Sequence, residues 1–175
     1  MPATANSRTR VAKQAIVVLA VLTAVVLPAR LASAQSRTAT LNVSINGFAR
    51  LSLSSTGVSF PDSNPDLVPQ VPGATGPLVL TVKARATLNA TIRLSVLASD
   101  DLRSGVRTIP AANITWTATG AGFVPGTLNR TTPQTVGSWI GSGARTGSQS
   151  LFFRNLWTHP TGTYTLTMTY TLSSP

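Results

Sequence analysis

The sequence predicts an all-β chain, an antiparallel β-sandwich of immunoglobulin-like shape preceded by a secretory signal peptide. Three observations lead there. Period-two alternation recurs in runs of β-branched residues, each bounded by Gly, Pro, Asn or Asp. Glu is absent and Lys nearly so, which removes the usual surface helix formers and leaves no expectation of a helix beyond one turn. Residues 1–34 place a basic start (Arg8, Arg10, Lys13) before an apolar run from Ala15 to Leu27, then Ala32-Ser33-Ala34 before Gln35. That order is what export machinery reads.

The apolar run is interrupted by Thr23 and closed by Pro28 and Arg30, short of the roughly 20 residues a bilayer span needs. Cleavage after Ala34 is therefore expected, with residues 35–175 forming a single domain large enough for one core and carrying no membrane span. The implied location is secreted or cell-surface, with the periplasm in transit.

Along that domain, Leu41, Val43 and Ile45 alternate with Asn42 and Ser44, and Asn46-Gly47 predicts a tight turn into a strand from Ala49 to Leu53. Val58 and Phe60 suggest a short strand. Pro61 to Pro77, with five prolines and two glycines, reads as a long loop. Leu78, Leu80, Val82 and Ala84 share one face of the next strand, and Ile92, Leu94, Val96 and Ala98 one face of its successor. Asp100, Asp101 and Gly105 mark a turn. Ile114, Trp116 and Ala118 continue the apolar face, which places Trp116 in the core. Weaker runs follow the Gly-rich stretch 120–126, near Thr135 to Ile140 and Gln149 to Arg154. The final run, Tyr164 to Leu172, alternates longest and predicts the longest strand. About eight strands with a turn every ten or so residues describe the sandwich.

The whole chain carries a net charge of +10 at neutral pH. Arg8, Arg10, Lys13 and Arg30 leave with the signal while all four acids stay, so the mature domain remains basic and suited to anionic partners such as acidic glycans. Its best cationic cluster is Lys83, Arg85 and Arg93, which share an outer face within cross-strand reach if their strands pair as a hairpin. Cysteine is absent, so packing and backbone pairing must supply the stability, and thiol chemistry is excluded.

Catalysis finds little material. His159 lies in the turn Thr158-His159-Pro160, no G-x-S-x-G elbow occurs, and the carboxylates Asp62, Asp66, Asp100 and Asp101 all fall in turns that favour Asp for backbone reasons. The chain is therefore not expected to be an enzyme. Asp62, Asn64 and Asp66 have the alternating spacing of a calcium loop, but Leu67 replaces the sharp-turn glycine and no bidentate Glu follows, so neither metal nor cofactor is expected. Trp139 and Trp157 lie in irregular segments and are candidates for stacking on sugars. No helix-turn-helix, zinc-finger or RNA-binding motif supports sequence-specific nucleic-acid binding. The Asn-x-Ser/Thr sites at Asn42, Asn89, Asn113 and Asn129 follow from a Thr-rich composition.

Gly162-Thr163-Tyr164-Thr165-Leu166-Thr167-Met168-Thr169-Tyr170-Thr171-Leu172 resembles the closing Gly-x-Tyr strand of secreted bacterial β-sandwich proteins of the spore-coat-protein-U-like and fimbrial groups. That resemblance implies an immunoglobulin-like subunit exported to the cell surface, in some members through a chaperone and usher. The expected function is then a structural or adhesive surface protein, assembling with itself or other surface subunits by β-strand addition through Thr38 to Ile45 or Thr163 to Leu172. The alternative is a monomeric secreted module that binds glycans or anions.

Overall fold

The computed structural model describes residues 39–174; the expected signal peptide, with its expected cleavage after Ala34, and residues 35–38 lie outside the described residues. Two compact units divide at Asn42 and Val43. Described residues 39–42 of the first are exposed and carry no strand. The second, Val43–Pro175, holds every described strand.

Eleven strands and one 3-10 turn, Ala111–Asn113, make up that unit. One antiparallel sheet has six strands: β1 (Phe48–Leu53), β2 (Gln70–Pro72), β3 (Leu78–Arg85), β7 (Ile114–Thr119), β8 (Gly126–Thr127) and β10 (Gly143–Arg154). Its order is β1-β3-β10-β7-β8, with β2 also pairing β10. A three-stranded sheet runs β11 (Met168–Ser173), β4 (Thr91–Ala98), β9 (Gln134–Ile140). β5 (Leu102–Ser104) and β6 (Arg107–Ile109) form a separate hairpin around Gly105, at φ 59°. The fold is all-β, antiparallel and sandwich-like.

The alternation seen in the sequence dictates which side chains meet. Leu78, Leu80, Val82 and Ala84 on β3 and Ile92, Leu94, Val96 and Ala98 on β4 are buried in one apolar cluster with Ile114, Trp116, Val136, Trp139 and Leu151. Both sheets contribute to it, so removal of apolar surface from water holds them together without a disulfide. Trp116 and Trp139 are only 3% and 8% exposed, and each indole N–H donates to a backbone carbonyl, of Val124 at 2.9 Å and of Ala121 at 2.7 Å.

Several expectations change. The segment from Leu41 to Ile45 forms no strand, and the tight turn is not made: neither Asn46 nor Gly47 adopts the positive φ that a two-residue hairpin requires. Val58 and Phe60 are half-buried against the core outside any strand, and the long loop contains the short β2. β10, read only from Gln149, begins at Gly143 and is the longest strand. The C-terminal strand starts at Met168, because Thr165 instead exchanges both backbone hydrogen bonds with Arg103 at 3.0 Å, against the β5–β6 hairpin.

Candidate functional site

The side of the sandwich bounded by β1 and β11 is its least finished part. β1 is one edge of the larger sheet and pairs only β3; β11 is an edge of the smaller and pairs only β4; the two approach one another. In register, Leu51 and Leu53 stand opposite the fully buried Val82 and Leu80, and Met168, Tyr170 and Leu172 opposite the fully buried Ala98, Val96 and Leu94. Yet all five of these edge side chains are only partly buried against the core. Their pattern points them into the core, and no further strand covers them among the described residues. The opposite margin differs: loop residues Gly122 and Val124 bond to Ser138 and Val136, covering the outer edge of β9.

Among the described residues, the alternating apolar segment Leu41, Val43 and Ile45 lies outside any strand and is exposed at 87%, 72% and 72%. It leads directly into β1. Apolar side chains spaced for a strand and left in water are what strand addition to a bare edge uses, since such an edge offers unpaired backbone groups. The C-terminal candidate, Thr163 to Leu172, is not free in this way: its residues from Met168 pair β4 in the same chain.

The expected hairpin of cations does not exist. β3 pairs β1 and β10 while β4 pairs β9 and β11, because Ala86–Ala90, turning through Asn89 at φ 65°, carries the chain from one sheet to the other. Lys83 and Arg85 therefore lie on the outer face of the six-stranded sheet, and Arg93 on the outer face of the other. The residue missed in the sequence is Arg50, which stands opposite Lys83, with Phe48 opposite Arg85. Arg50, Lys83 and Arg85 are exposed, and none has an ion pair among the described residues. A shallow, open depression borders Lys83 and Arg85, lined also by Asn46, Ser142 and Gly143.

The acids are occupied elsewhere. Asp100 accepts from Arg103 at 2.6 Å and lies 3.7 Å from Arg130, which reaches Asp101 at 3.4 Å. The hydrogen bond from Arg103, with that of the Asp101 amide, holds the Asp100 carboxyl below the usual range. Asn64 accepts from the Asp66 amide and Asp66 from the Trp157 indole, so two side chains of the calcium-like string serve loop structure. His159 rests on Phe153 at 5.5 Å between ring centroids, with Nε2 3.1 Å from the Arg154 carbonyl. Of the two tryptophans considered for sugar stacking, Trp139 is in the core and only Trp157 is exposed.

Among the described residues, no helix is long and apolar enough to cross a membrane. The sequence matches no family model and no curated protein.

Proposed function

We propose that this chain is an exported, non-enzymatic surface subunit with an immunoglobulin-like sandwich that assembles with further copies by strand addition. In this reading Leu41, Val43 and Ile45 of one copy lie along the seam between β1 and β11 of the next. Main-chain bonds to a bare edge supply affinity, and the alternating side chains cover Leu51, Leu53, Met168, Tyr170 and Leu172. The observation that carries the reading is the pairing of two incomplete features in one chain: an exposed apolar strand pattern that pairs with no strand among the described residues, and a seam of core-facing residues that are only partly buried. The order of basic, apolar and small residues in 1–34 supports export.

Light scattering on the purified mature chain tests this. Wild type is expected to form concentration-dependent multimers, and Val43→Asp to leave a folded monomer, because Val43 is largely exposed in its own copy. A wild type that stays monomeric at every concentration would sink the reading. Export is checked separately by intact-mass analysis, expected to show a chain beginning at Gln35.

The basic face favours a second reading, an anion-binding module. Arg50, Lys83 and Arg85 bring three exposed cations together on adjacent strands. Retention of the monomer on a heparin column that falls with salt and with Arg50→Ser/Lys83→Ser would support it; retention unchanged by those substitutions would remove it.

A further inference from the structure

We propose that Trp157 and Asp66 form a binding platform for the ring of a neutral sugar. The three indoles of this chain are used in two ways. Those of Trp116 and Trp139 are buried and donate to backbone carbonyls. Trp157 is 69% exposed, and its Nε1 donates to the Asp66 carboxylate at 3.0 Å, across 91 residues of sequence. That bond satisfies the polar edge of the indole and fixes the plane of the ring while its broad face stays in water.

The loops that carry the two residues are locked to one another. Asn155 Nδ2 donates to the Ser63 carbonyl at 2.8 Å and lies 3.4 Å from that of Val68, and the Asn155 amide donates to the Pro69 carbonyl at 2.9 Å. On one side, Asp66 is set by its amide bond to Asn64 Oδ1 at 2.9 Å. On the other, the turn after Trp157 is closed by the His159 amide bonding the Leu156 carbonyl at 3.1 Å, and the His159 ring packs on Phe153. A ligand meeting this surface finds it already ordered, so little conformational entropy is lost on binding.

The chemistry selects the ligand class. An exposed indole face complements the flat C–H face of a pyranose, burying apolar surface on both sides. At its edge, the Asp66 carboxylate keeps acceptor sites beyond the one used by Trp157 and has no ion pair among the described residues, so it can accept from sugar hydroxyls. A uronate or sulfate placed on the indole would meet that carboxylate as a like charge. Acidic glycans are thus directed away from Trp157, and the platform shares no residue with either the seam or the basic face.

Intrinsic fluorescence of the mature chain reads the platform directly, because Trp157 is the exposed indole. Titration with millimolar neutral hexasaccharides of glucose, mannose, galactose and N-acetylglucosamine is expected to shift emission for at least one of them and to shield the chain from iodide quenching. With that sugar, Trp157→Ala should abolish the response at an unchanged thermal midpoint, Trp157→Phe should retain part of it, and Asp66→Asn should weaken binding about tenfold. Iodide shielding needs only wild-type protein and decides the matter should a variant fail to fold. The proposal is overturned if none of the four sugars shields the indole, if binding survives Trp157→Ala, or if oligogalacturonate shields it better than the neutral sugars. Monomeric Val43→Asp should bind as wild type does, so failure of assembly and failure of the platform are separable.

Discussion

Gln149 is the one fully buried polar side chain among the described residues, at 1% exposure in the middle of β10. Its Oε1 accepts from the Tyr170 hydroxyl at 2.6 Å, a bond from one sheet to the other, while its Nε2 has no partner. A buried amide with one end unmatched is costly, and loss of its remaining partner would leave it wholly unsatisfied. Tyr170→Phe should therefore destabilise by about 1–3 kcal/mol, and adding Gln149→Met should recover most of that loss in urea denaturation. Burial also pushes the Tyr170 phenol above its ordinary value of 10.0. The folded chain then keeps a proton that the unfolded chain releases, so this contribution to stability is intact below about pH 10 and declines as pH rises beyond it. Urea midpoints measured between about pH 9 and pH 11 should fall in wild type and lose most of that slope in Tyr170→Phe.

At the level of strands, β10 shows how a long element can be hidden in a sequence. Its first half offers Gly143, Ala144 and Gly147 where an apolar alternation would normally be seen. Gly147 is needed for packing: a Cβ there would run into the Phe123 ring and stand 2.5 Å from the Thr119 carbonyl. Phe123 in turn meets Trp139 edge-on at 4.9 Å, so the ring cannot withdraw freely. Gly147→Ala should cost about 1–3 kcal/mol by overpacking, and Trp116→Ala about 3–5 kcal/mol by leaving a cavity, both read as lowered denaturation midpoints with unchanged slopes. An effect near zero at either position would mean the core relaxes around it. β3, β4 and β7 were legible because their buried faces carry Leu, Ile, Val, Ala or Trp at every second position, the direct signature of a half-buried strand, whereas β9 read only as a weaker run because its buried Val136, Gly137 and Trp139 break that alternation. Lys83 and Arg85 were legible as outward residues for the same reason. Their separation from Arg93 was not, since a five-residue turn looks alike whether it joins neighbours in one sheet or crosses between two. The exposure of Trp157 and burial of Trp139 were equally hidden, because contacts distant in sequence decide both.

For the molecule as a whole, the proposed addition of the exposed N-terminal segment to the seam would make stability and assembly one quantity. The unit has no cysteine cross-link, and domains of this size are stable by only about 5–15 kcal/mol, so covering the partly buried Leu51, Leu53, Met168, Tyr170 and Leu172 would add measurably to stability. A strand that binds the folded state and not the unfolded one raises the melting temperature by mass action. Wild-type protein should therefore melt at a temperature that climbs with its own concentration, whereas Val43→Asp should melt lower and independently of concentration. Adding a synthetic peptide of residues 35–46 to the Val43→Asp monomer should raise its melting temperature progressively with the logarithm of peptide concentration, by about 2.7 kcal/mol of added stability at a hundredfold excess over the dissociation constant. The same peptide carrying Asp in place of Val43 should do nothing. Equal melting curves with and without the native peptide would mean that the seam is a finished surface, and the exposed segment would then need another partner than a second copy of this chain.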